Sequence, residues 1–136
     1  MTAALELLSS ASKGLADATL ADQPVDRYAC AHRAALRTAA AVLAARAKPS
    51  SSRRRLRSVW VLLPEVAPEL GEWAEFFAAG ARKRAAAEAG IPVVSSREAD
   101  DLLRDAELFL ARVAGMLGIG YRQSALISAV HLRPVG

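Results

Sequence analysis

Soft metal ligands and nucleophiles are scarce in this chain: it holds one cysteine, Cys30, and two histidines, His32 and His131, in 136 residues. A lone thiol closes no internal disulfide, and without companions at metal-ligand spacing it builds no zinc site, so neither a metal nor a cofactor is expected. Cys30 reads as a small buried hydrophobe. Aromatic residues are equally few, 5% of the chain against an apolar fraction of 53%. Much of the apolar content is therefore alanine, which suits closely packed helices and supplies little of the branched surface a β-rich core needs. Long apolar runs are missing too. None approaches a membrane span, and Met1 to Leu8 carries Glu6 and no basic cluster ahead of a hydrophobic region. The expectation is a soluble cytoplasmic protein with no membrane association. There is also no internal repeat and no glycine-rich phosphate loop following a strand.

Acid is what one stretch lacks. From Pro24 to Arg57 nine basic residues face the single Asp26, whereas from Ser58 to Glu107 ten acids face five bases. The formal charge of +4 conceals this division, and binding follows local rather than net potential. The length fits one domain with one core. We assign residues 1–120 to it and leave 121–136 as a tail or a short extra helix.

Hydrophobic spacing predicts helices throughout. Thr2 to Ala21 reads as the first, weakened by Gly14. Pro24 opens a second that runs to about Ala47, with Tyr28, His32, Ala35, Leu36, Ala39, Val42 and Leu43 on one stripe and Arg33 and Arg37 opposite. A third is predicted from Arg53 to Pro64 and a fourth from Pro68 to the turn before Gly90. The fourth carries Trp73, Phe76, Phe77, Gly80, Ala81 and Arg84 at helical spacing, a pattern that favours core packing over stacking on bases. The fifth has the clearest start: Ser95 with Glu98 three residues later is a capping box, and Gly118 and Gly120 end the helix. The fold class is all-α, a compact bundle of four to five helices.

Three groups of residues invite a chemical reading. Arg27 and His32 are five apart, and an arginine with a histidine is a workable pair for cleaving RNA: the imidazole moves the 2′-hydroxyl proton while the guanidinium steadies charge developing on phosphate. On a straight helix the two lie about 140° apart, and His32 falls within the apolar stripe, so a core or interface histidine is the competing reading. Arg53, Arg54, Arg55 and Arg57 form the densest cationic cluster, set at the predicted start of a helix whose dipole disfavours cations and favours a bound phosphate. They read either as an anion-binding site or as ion-pair partners of the acidic helices. Asp100, Asp101 and Asp105 sit in the first turns of the fifth helix, where acids are stabilised anyway, and read as partners for arginine rather than as metal ligands. Arg82, Lys83 and Arg84 read as cations near a helix C-terminus.

The segments AHRAALRTAAAVLAARAKP, RSVWVLLPEVAPELGEWAEFFAAGARKRAAAEAG and SSREADDLLRDAELFLARVAGMLG, with the Asp26-Arg27-Tyr28 start, resemble an actinobacterial branch of the HEPN superfamily (higher eukaryotes and prokaryotes nucleotide-binding) over about residues 5–118. The resemblance implies a helical bundle that dimerises. It also implies either an RNase with an Arg-x(4 to 6)-His motif at the dimer cleft, a spacing that Arg27 and His32 satisfy, or a non-catalytic module. Three functions are carried forward: a non-catalytic homodimer binding RNA or another anionic partner through Arg53, Arg54, Arg55 and Arg57; a metal-independent endoribonuclease; and a protein-binding scaffold.

Overall fold

The computed structural model describes residues 2–46 and 58–119. Among them are six α-helices and one 3-10 turn, with no strand: α1 (Thr2–Leu20), α2 (Pro24–Arg46), α3 (Val59–Val66), the turn Pro68–Leu70, α4 (Gly71–Ala79), α5 (Ala81–Glu88) and α6 (Ser96–Met116). The fold is an all-α bundle. Leu8, Leu15, Tyr28, Val42, Leu63, Phe77, Phe109 and Val113 belong to one buried cluster, to which α1, α2, α3, α4 and α6 all contribute.

The centre of the bundle is α2, which packs against α1, α3, α5 and α6. Alanine makes this possible: Ala31, Ala34, Ala35, Ala39 and Ala41 are all wholly buried, and a helix surfaced with methyl groups lets neighbours approach on several sides. The same closeness explains Gly14. A Cβ there would lie 3.5 Å from the Ala34 Cβ and 3.4 Å from Nη1 of Arg37, so the glycine costs helix propensity where α1 crosses α2.

Direction follows from the ion pairs. Arg27 near the start of α2 meets Asp100 near the start of α6, and Arg46 at the end of α2 bonds Glu69, whose carboxylate also feels Arg112 near the end of α6. These two helices therefore run the same way. Between them α3 runs outward from His32, next to Trp60, to Arg46, next to the Val66 carbonyl. Then α4 returns to His32, which bonds the Phe77 carbonyl.

Two predicted boundaries are corrected. The predicted start of the third helix, Arg53, lies outside the described residues, within which α3 begins at Val59, capped by Ser58, whose side chain accepts from the Trp60 amide. Pro64 lies inside it rather than ending it. The stop comes from Pro68: the residue before a proline is pushed out of the helical region, and Ala67 is extended at φ −145°, ψ 76°. The predicted fourth helix is a 3-10 turn and two helices, interrupted at Gly80. In consequence Arg82, Lys83 and Arg84 occupy the first turn of α5, not a C-terminus, and Phe76 is exposed rather than in the core.

The start of α6 is as predicted. Ser95 accepts from the Glu98 amide and Glu98 reaches back to the Ser95 amide. Its end is a left-handed Gly118, φ 68°, where the Ile119 amide bonds the Ala114 carbonyl, a geometry that only glycine adopts without strain.

Candidate nucleic-acid interface

Arg27 is held on three sides. Its Nε donates to the Ala18 carbonyl at 3.2 Å, Nη2 to the Ala21 carbonyl at 2.6 Å and Nη1 to Asp100 Oδ1 at 2.6 Å. Both acceptors lie at the C-terminal end of α1, where the Ala18 carbonyl also accepts from the Ala21 amide. The guanidinium thus caps α1 and ties it to α6, at the corner where the chain turns into α2.

His32 faces elsewhere. It is wholly buried, with its ring among Tyr28, Trp60 and Phe77 at centroid distances of 6.4, 6.0 and 6.0 Å. Nε2 lies 2.7 Å from the Phe77 carbonyl, and because a carbonyl only accepts, Nε2 carries the proton and Nδ1 the lone pair. Burial pushes the imidazole below its ordinary value; the Phe77 carbonyl pulls it back up, Arg84 pushes it down and Glu88 up. The structure does not bring Arg27 and His32 together at one phosphate: they bond different elements, as their separation on the helix requires.

The remaining polar groups of this region were less legible. Arg33 and Arg84 share Glu88, the first bonded to it and the second at 4.0 Å. Lys83 bonds Glu98, and a Cβ on Gly80 would stand 2.8 Å from the Tyr28 hydroxyl. One signal for Arg84 was present: a cation inside the apolar stripe of the predicted fourth helix. Asp100 and Asp101 pair with Arg27 and Arg104. Asp105 does not share that role. Its carboxyl is pushed up by burial and by Asp101. Cys30 is half-buried, and burial raises its thiol, which disfavours the nucleophilic thiolate.

Arg53, Arg54, Arg55 and Arg57 lie outside the described residues, as do His131 and the rest of 120–136. The division of charge along the sequence is clear. The described residues carry eleven lysines and arginines against fourteen acids, a net charge of −3. Residues 47–57 and 120–136 hold seven basic residues and no acid. The first of these segments follows Arg46 at the end of α2, and the second follows Ile119 just past the end of α6. The first segment runs on to Ser58, just before α3. All of the chain's excess positive charge therefore belongs to two segments attached to a net acidic body.

Among the described residues the chain is a bundle of helices with no strand and no metal-ligand cluster, and its central helix carries a part-exposed Arg27 and a buried His32. Residues 18–114 match the family described as SAV_6107-like HEPN, and the chain belongs to this HEPN family. No curated protein and no solved structure matches it.

Proposed function

We propose that the chain is a non-catalytic HEPN domain that binds RNA as a homodimer, with Arg53, Arg54, Arg55 and Arg57 as its principal phosphate contacts. The observation that carries this reading is the division of charge. A body of net −3 repels a polyanion, and four arginines within five residues, reinforced by Lys48, concentrate the opposing potential at one place. Arginine suits the role because its planar fork bonds phosphate oxygens in pairs.

The non-catalytic part rests on Arg27 and His32. A general base needs to reach the proton it removes. His32 has no accessible surface and spends its Nε2 proton on a backbone carbonyl, while Arg27 is committed to two carbonyls and a carboxylate. The endoribonuclease reading is therefore the weaker of the two.

Fluorescence anisotropy with a labelled single-stranded RNA, in EDTA and at low salt, tests both. Wild-type protein should bind and leave the RNA intact on a denaturing gel, and replacement of the four arginines by serine should weaken binding at least tenfold. Equal affinity of the fourfold variant removes the assignment of these arginines, and cleavage that disappears in His32→Ala restores the nuclease. A protein that binds no RNA yet stays dimeric in high salt would point instead to a protein-binding scaffold.

A further inference from the structure

Where α2, α4 and α5 meet, two buried polar atoms have no partner among the described residues: His32 Nδ1 and Arg84 Nε. With Nε2–H given to the Phe77 carbonyl, Nδ1 is the only place His32 can accept a proton. Few groups are positioned to compensate a charge there. From α2 the ring meets Tyr28, and Arg33 on the same helix is already bonded to Glu88. From α3 it meets the uncharged Trp60, and from α4 the Phe77 ring and carbonyl. From α5 come Arg84, which opposes a positive charge, and Glu88, which favours one but is shared between two arginines. An imidazolium would thus be a poorly compensated charge in an apolar pocket beside a second cation, with no hydrogen-bond acceptor at Nδ1 among the described residues, and such a charge destabilises whatever encloses it.

The enclosure has a weak side. Of α5 only Ala87 is buried, and the helix is tied to its neighbours by the Arg33–Glu88 and Lys83–Glu98 pairs, contacts between part-exposed groups that contribute little. Gly80, directly between α4 and α5, has its backbone against the His32 ring: a Cβ would come within 3.3 Å of Cδ2. The rest of the pocket is firm. Phe77 is wholly buried, and Tyr28 and Trp60 are 6% and 7% exposed.

We propose that His32 is an acid-sensitive latch on α5: proton uptake at Nδ1 opens the junction at Gly80 and releases Ala81–Glu88 from α2, while α1, α2 and α6 stay packed. Opening also frees Arg33 and Arg84 from Glu88, adding two unpaired cations to the surface. The direction of the effect is fixed by linkage. The open form takes up a proton near the ordinary histidine value of about 6.5 and the closed form only at lower pH, so acidification below that value favours opening, by at most about tenfold per pH unit. The carboxylates contribute little over this range: Glu88 and Glu98, held below their ordinary values by Arg33 and Lys83 in the closed form, return on opening only to the ordinary value of about 4.3, so their effect sets in below about pH 5.

Hydrogen exchange read by mass spectrometry at pH 7, 6 and 5, corrected for intrinsic exchange rates, tests the latch. In the wild type, protection of peptides from α5 should fall by up to about tenfold per unit below pH 6.5, while that of α1 and α6 holds. In His32→Gln, which keeps a donor for the Phe77 carbonyl but does not titrate, α5 protection should be independent of pH. Arg84→Met is the second arm if the glutamine variant does not fold. Its closed form accepts the proton more readily, so the ratio of protection between pH 7 and pH 5 should shrink. No fall in the wild type overturns the proposal. So does an equal fall in His32→Gln, an unchanged ratio in Arg84→Met, or simultaneous loss from all helices.

Discussion

At Gly80 the absence of a side chain is what lets three elements meet. Alanine there would set a methyl 2.8 Å from the Tyr28 hydroxyl and 3.3 Å from His32 Cδ2, and both rings are buried. The imidazole cannot turn away without disturbing Phe77 or Trp60, and the Tyr28 ring stacks on it. Gly80→Ala should therefore lower unfolding free energy by about 1–2 kcal/mol despite the better helix propensity of alanine, as urea denaturation followed by tryptophan fluorescence would record. Arg27 gives a sharper test, because it separates structure from chemistry. Arg27→Met removes two carbonyl caps and a part-exposed ion pair, and a stability loss of about 1–2 kcal/mol is expected. RNA affinity should stay within about twofold, since the phosphate contacts proposed above are Arg53, Arg54, Arg55 and Arg57. A tenfold loss of affinity without a loss of stability would return Arg27 to the binding site. The spacing of Arg27 and His32 suggests a catalytic pair. The helix wheel already argues against their meeting, and the partners they take, Asp100 and the Phe77 carbonyl, lie far along the chain where spacing has nothing to say.

Among the helices, legibility tracked how local the determinants are. The capping box of α6 was readable because both of its bonds join Ser95 and Glu98, and Pro24 marked the start of α2 for the same reason. Ser95→Ala should cost about 1 kcal/mol, measured as a lower urea midpoint with an unchanged slope. A smaller slope would mean that the start of α6 frays rather than loses a single cap. The break at Gly80 was not readable, because a lone glycine at a position on the apolar stripe is compatible with a continuous helix, and the close approach of Tyr28 and His32 that calls for a glycine there comes from α2. Pro64 misled in the other direction. A proline in so short a helix removes one hydrogen bond, and the Ala67 amide still closes the last turn on the Leu63 carbonyl at 2.8 Å. On α2 the stripe drawn from Tyr28 to Leu43 was too narrow: Ala31, Ala34, Thr38 and Ala41 are buried as well, because a helix at the centre of a bundle has more than one inner face.

Over the whole molecule the governing feature is the division of charge along the sequence between the net acidic described residues and two basic segments, 47–57 and 120–136. No described helix is long and apolar enough to cross a membrane, and the HEPN family accounts for residues 18–114. The acidic helices were visible in the sequence. What the sequence alone left open was where their carboxylates are spent: Glu69, Glu88, Glu98, Asp100 and Asp101 pair with cations of the bundle itself. That leaves fewer acids to neutralise Arg53, Arg54, Arg55 and Arg57, so these four are the ones expected to meet a partner's phosphates. The most direct test is the salt dependence of RNA affinity for the wild type and the fourfold serine variant. Each phosphate contact on a single strand contributes about 0.7 to the slope of log K against log salt, so the variant's slope should be shallower by roughly 3. Parallel lines for the two proteins, whatever their absolute affinities, would contradict the account.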